Sequence, residues 1–230
     1  MEQSDKRVHV RIKPLIDAYN RSNKIQIRAG LMKTGWKKLK RKSREIYYFD
    51  SRQDEDAEVC AHALHEMIGE IQREQGKEGV VFVCIGTDRS TGDSLGPLIG
   101  YKLKEQRVRQ IQIVGTLERP VHAMNLEQSM AMVRIHYPNH VIVAVDASVG
   151  RQDHVGCITL GKGALRPGLG VCKDLQEVGD IFITGIVGGY GNYDPLMLQS
   201  VRLSVVMKMA DYICESAFIV EQFLERATLV

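Results

Sequence analysis

Residues 80–97 read VVFVCIGTDRSTGDSLGP: an apolar run, a polar loop and the start of a helix. The run Val80 to Ile85 matches a short strand buried on both faces. Gly86 breaks it, Thr87 to Gly92 is polar, and Asp93 occupies the place expected of a helix N-cap. Leu95, Leu98, Ile99 and Leu103 then recur at helical steps, which predicts a helix over 93–107. In an open α/β sheet such a loop lies over the carboxyl end of a strand, where ligands and catalytic groups collect.

Working outward, Ile111–Val114 and Val141–Val145 read as further strands, the second ended by Asp146-Ala147-Ser148. A helix from about Asn125 to His136 lies between them and stops at Pro138. Strands and helices alternating across short connections predict right-handed crossovers and a mainly parallel sheet, hence a three-layer α/β domain. Upstream, 55–75 is an amphipathic helix with Val59, Ala63, Leu64, Met67, Ile68 and Ile71 on one face. Glu58, His62 and His65 fall on its other face, which is expected to be solvated. Downstream come a strand over 155–160, a glycine-rich loop over 161–170 and a strand over 181–187. A long helical tract is expected from Asp194-Pro195 towards the end, with Met197, Met207 and Met209 as core filler. Residues 1–50 are poor in apolar residues and read as a basic extension before a domain spanning 51–230.

Apolar and charged fractions of 44% and 26% are those of an ordinary globular protein. No apolar run approaches the roughly 20 residues that span a bilayer, so no membrane partner is expected. The N-terminus lacks the apolar core of a signal peptide. Five scattered cysteines without a CxxC pair point to reduced thiols in a cytoplasm-like compartment, and away from a disulfide framework or structural zinc. Lys33 to Arg44 holds seven basic residues and no acid. It offers either a weak nucleic-acid or acidic-partner contact or simply a solvated arm; its single aromatic, Trp36, is too little for a base-stacking platform.

The chemistry-bearing pattern is an acid after each of three successive strands: Asp93, Glu118 and Asp146. Parallel strands put their carboxyl ends on one edge, so these side chains can meet. Two carboxyls brought close cannot both ionise easily, and the pair can hold a proton and activate water for amide hydrolysis. The plainer reading makes Asp93 only a cap and Asp146 only a turn former. Thr87, Asp88, Glu118 and Ser148 are candidate binding residues around the pair, as are Gly168 and Gly170, whose loop could bind an anion through backbone N–H groups. The glycines of 86–96 fit neither nucleotide-phosphate pattern, and the hydroxyls lack a GxSxG elbow. Cys84 lies inside an apolar strand and reads as inert packing. A metal held by the acids with His122 or His136 is conceivable, but the spacing does not favour it.

Gly86 to Pro97 resembles the G-N-x-x-x-T-P-D-A-L-G-P motif of the bacterial spore germination protease family. Val145-Asp146-Ala147 is similar to that family's V-D-A-L, and Pro167 to Val171 to its P-G-x-G-V, in the same order. The chain as a whole resembles a smaller group of sporulation proteins, the YyaC type. That group shares the phosphorylase/hydrolase-like α/β fold with the hydrogenase maturation proteases. The resemblance implies an aspartic-type peptidase with Asp93 and Asp146 as its catalytic pair and no cofactor. It also implies a role inside the spore or sporulating cell, with small acid-soluble spore proteins as the substrate class. Departures are Thr87 for the motif's Asn, Gly92 for its Pro, and Cys172-Lys173 after P-G-x-G-V. Ser94 stands where the maturation proteases carry a metal-binding Glu, so no metal is implied. The reading of another class is a non-catalytic sporulation binding protein that keeps the fold and binds peptide, anion or nucleic acid. The long C-terminal tract has apolar surface to spare for a second copy of the chain.

Overall fold

The computed structural model describes residues 46–52, 57–167, 175–189 and 197–228. The basic segment Lys33 to Arg44, the loop glycines Gly168 and Gly170, and the Asp194-Pro195 start lie outside these. Within the compact unit Arg44–Val230, the elements are β1 (Ile46–Asp50), α1 (Ala57–Gln75), β2 (Gly79–Cys84), α2 (Leu95–Glu105), β3 (Ile111–Val114) and α3 (Leu126–His136). They continue with β4 (His140–Gly150), β5 (Cys157–Lys162), β6 (Ile181–Gly189) and α4 (Leu203–Thr228).

The six strands form one sheet in the order β1-β5-β6-β4-β2-β3. β3, β2, β4 and β6 run parallel, while β5 is antiparallel to both β6 and β1. The fold is thus a mixed α/β three-layer sandwich with a mostly parallel sheet, as the alternation of elements predicts. β2 connects outward to β3 through α2, and β3 connects back across β2 to β4 through α3. Right-handed crossovers in opposite directions must put their helices on opposite faces. They do: α2 joins α1 and α4 on one face, and α3 packs Leu126, Met130 and Val133 against Val81, Val83, Ile85 and Ala144 on the other.

Several sequence expectations are corrected. Residues 46–50, read as part of the extension, form β1, which pairs with β5 and buries Phe49. β4 does not end at Asp146-Ala147-Ser148 but continues to Gly150, because β6 stays beside it as far as Gly189. The C-terminal tract is broken: a 3-10 turn, Met197–Gln199, precedes α4. His62 and His65 are half-buried rather than solvated, their rings lying 4.9 and 5.2 Å from that of Phe223 on α4. None of the described helices is long and apolar enough to cross a membrane.

Candidate active site

The site is created where β2 stops and β4 goes on. The last ladder pair between them is Cys84 with Val145. Ile85 still donates its N–H to the Val145 carbonyl at 2.7 Å, but Gly86 donates to Val121 at 2.8 Å and turns away. From Asp146 onward, β4 is paired with β6 alone, with Thr184 opposite Asp146. The neighbours β2 and β4 flank the point at which strand order reverses, where open α/β sheets form their ligand crevice.

Asp93 is brought back over this opening by the loop after β2. Gly86 has φ +141°, in the region that favours glycine, and a Cβ there would overlap the Asp93 carbonyl oxygen. That carbonyl accepts the Thr87 N–H at 3.0 Å and closes the loop. The first turn of α2 then sits on the strand end, since a Cβ at Gly96 would overlap the Ile85 carbonyl oxygen. Leu95, Ile99 and Leu103 are fully buried beneath it, and each such burial is worth about 1.5–3 kcal/mol. The helix does not use Asp93 as its cap. Asp93 lies in a 3-10 turn, Gly92–Ser94, and the N-cap of α2 is Ser94, whose hydroxyl donates to the Thr91 carbonyl at 2.7 Å. The N-cap expectation fails because Gly92 packs closely on Leu198 and Val201 and the chain tightens into a 3-10 turn before the helix.

Asp146 is only 7% exposed. Its Oδ1 accepts the N–H of its own neighbour Ala147 at 2.8 Å. Burial pushes its carboxyl well above the usual carboxylate range, and the negative charge of Asp93 pushes it the same way. Asp93 is half-buried and is also raised, chiefly by burial, while the Thr87 backbone and the charge of His122 pull it back. Asp93 therefore ionises first and Asp146 holds its proton longest. One carboxylate beside one carboxylic acid is a general base beside a general acid.

The other candidates divide. Thr87 is half-buried at the base of the loop, its Oγ1 accepting the Arg89 N–H at 3.4 Å. Asp88 is exposed on the loop's outer side. Glu118 is exposed in the turn after β3. The acid series in the sequence suggests that it meets the aspartates; β3 is the outer strand and β2 stands between it and β4, so Glu118 is separated from Asp146 by the strand that carries Asp93. Ser148 is committed to the sheet, its hydroxyl lying 3.2 Å from Thr184 Oγ1 and 3.3 Å from the Gly185 carbonyl. Cys84 is fully buried and its thiol is pushed up by burial, so it stays a neutral packing group. Among the described residues, no three His, Cys, Asp or Glu side chains are grouped to hold a metal ion.

The sequence reading passed over Thr184 and Thr159, buried hydroxyls 2.6 Å apart in register with Asp146 across β6 and β5. Their signal was a threonine inside each of two otherwise apolar strands. His122, considered only as a metal ligand, lies at the same edge as the pair.

The Bacillus subtilis (strain 168) protein described as uncharacterized protein YyaC is 43% identical over 157 residues, which cover 68% of this chain and 77% of that relative. Residues 49–216, which contain β2 to β6 and both aspartates, match the model of a family described as protein of unknown function (DUF1256). The chain belongs to that family.

Proposed function

We propose that this chain is a peptidase in which Asp93 and Asp146 hydrolyse the peptide bond of a protein substrate. What carries the reading is a buried Asp146 and a half-buried Asp93 at the reversal point of the sheet, with the charge of Asp93 and burial both raising the Asp146 carboxyl. A fold gains nothing in stability from two carboxyls crowded in low dielectric, whereas acid–base chemistry at a carbonyl needs one as base and one as acid. Asp93 takes a proton from a water as its oxygen attacks the carbonyl carbon. Asp146 donates its proton to the carbonyl oxygen, which becomes the hydroxyl of the tetrahedral intermediate. The proton on Asp93 then passes to the nitrogen as the C–N bond breaks, and the intermediate returns its hydroxyl proton to Asp146. The pair is restored, and a carboxylic acid and an amine leave.

The motif resemblance to the spore germination protease supports the same assignment and extends it to sporulation. On that ground, small acid-soluble spore proteins are the proposed substrate class. The test is incubation of the purified chain with such proteins and with a mixed peptide library, read by mass spectrometry. Asp93→Asn and Asp146→Asn should each lower cleavage by about 100-fold or more. Cleavage that survives both substitutions would end the peptidase reading. Peptide bound but left intact by the unsubstituted chain would replace it with a binding protein of the same fold.

A further inference from the structure

The outer face of α3 is apolar where a surface helix should be polar. Its inner face buries Leu126, Met130 and Val133 against the sheet. On the helical repeat Gln128, Ala131, Met132 and Ile135 fall on the opposite side. All four are exposed, Met132 at 51% and Ile135 at 70%. Met124, in the turn leading into the helix, is 81% exposed. A second exposed apolar pair among the described residues, Tyr101 and Phe218, is set among the charges of Lys102, Glu105, Asp211 and Glu215. The strip on α3 has no charge within it.

One exposed apolar side chain is ordinary, but a cluster of them along a single helix marks a contact surface. The flank of the strip decides what meets it. Glu127 and Arg134 are both exposed and lie two helical turns apart on the same side. About 10 Å of helical rise separates them, too far for a pair within one copy. A twofold axis crossing α3 midway between them turns two copies antiparallel. It brings the apolar strips together and sets Glu127 of each copy opposite Arg134 of the other. The charges along this flank are therefore complementary to their own reversal, as contact between identical surfaces requires.

We infer that α3 is the surface through which two copies of this chain form an antiparallel dimer. The helix is about 16 Å long. Such a contact is small beside the roughly 800 Å² per partner of a standard interface, so the dimer should dissociate on dilution. The inference is independent of the peptidase reading.

The test is sedimentation velocity of the full chain over a range of concentrations. The unsubstituted chain should pass from monomer to dimer as concentration rises. Ile135→Glu puts a charge into the strip of both copies and should weaken dimerisation by about 30-fold or more. If that variant does not fold, Met132→Glu makes the same test. Glu127→Arg and Arg134→Glu each set like charges opposite one another and should weaken the dimer by about 5-fold or more. Both substitutions in one chain should restore it. The two single variants, mixed, should pair with each other more tightly than either pairs with itself. A charge effect confined to one copy gives neither rescue. A chain still monomeric at about 1 mM overturns the inference. So does a dimer that Ile135→Glu, folded as judged by circular dichroism, leaves intact. Failure of both the double reversal and the mixture to restore the dimer is equally fatal.

Discussion

Two carboxyl groups in this molecule are almost equally hidden, Glu221 at 5% and Asp146 at 7% exposure, and they are treated in opposite ways. Glu221, on α4, receives the backbone N–H groups of Arg109, Gln110 and Ile111, the last two at 2.8 and 3.0 Å. It ties the C-terminal helix to the start of β3. Asp180, before β6, is a partly buried version of the same device, with the Lys77 ammonium at 2.5 Å and the Ile142 N–H at 2.8 Å. Among the described residues Asp146 has one hydrogen-bond donor, its own neighbour's N–H, and the charge of Asp93 acts on it. A buried acid that serves the fold is surrounded by donors. One surrounded by burial and like charge costs the fold stability, and that cost is what the proposed acid–base role would account for.

That contrast is broken most forcefully at Glu221. Glu221→Ala leaves buried backbone donors without an acceptor, each costing about 1–3 kcal/mol. The expected loss, read from urea unfolding, is about 3 kcal/mol, with a smaller loss for Glu221→Gln, which keeps one acceptor oxygen. A Glu221→Ala chain within about 0.5 kcal/mol of the unsubstituted one would show that the donors find water instead.

Asp146→Asn should act with the opposite sign and a smaller size. The folded-state pKa of Asp146 is raised above its unfolded value of about 3.8. Its contribution is therefore fully present below that pH and is lost as pH rises towards the folded value. Asparagine does not titrate, so Asp146→Asn should be more stable than the unsubstituted chain at pH 7, by about 0.5–2 kcal/mol, the usual size of a stabilising substitution. Near pH 3 the two should converge. Urea midpoints across that range check both statements, and equal stabilities at pH 7 would place Asp146 with the fold-serving acids.

The stretch 80–97 was legible because its signals are local: an apolar run, a glycine that must turn, and a helical repeat. What it could not convey was neighbourhood. Asp93, Glu118 and Asp146 follow three successive strands, yet spatial order places β2 between β3 and β4, so Glu118 and Asp146 are held apart by the strand that carries Asp93, and the charge that raises Asp146 is that of Asp93. The end of β4 was misplaced because Asp146-Ala147-Ser148 looks like a turn until β6 is seen alongside. β1 was missed because IYYFD follows a long basic segment, and its burial comes from β5, more than a hundred residues away. One helical repeat cannot reveal that a second helix will lay Phe223 against His62 and His65. His122 drew notice as a possible ligand, but its place at the strand edge follows from the bridge of Val121 to Ile85, which no spacing encodes.

The claim on which the rest stands is that Asp93 and Asp146 titrate as a pair, and carbon-13 NMR titration of the Asp146 carboxyl measures it directly. In the unsubstituted chain Asp146 should keep its proton to a pH well above that of the exposed aspartates, and in Asp93→Asn its midpoint should fall. An Asp146 that ionises with the exposed aspartates, or ignores the loss of Asp93, would contradict the account.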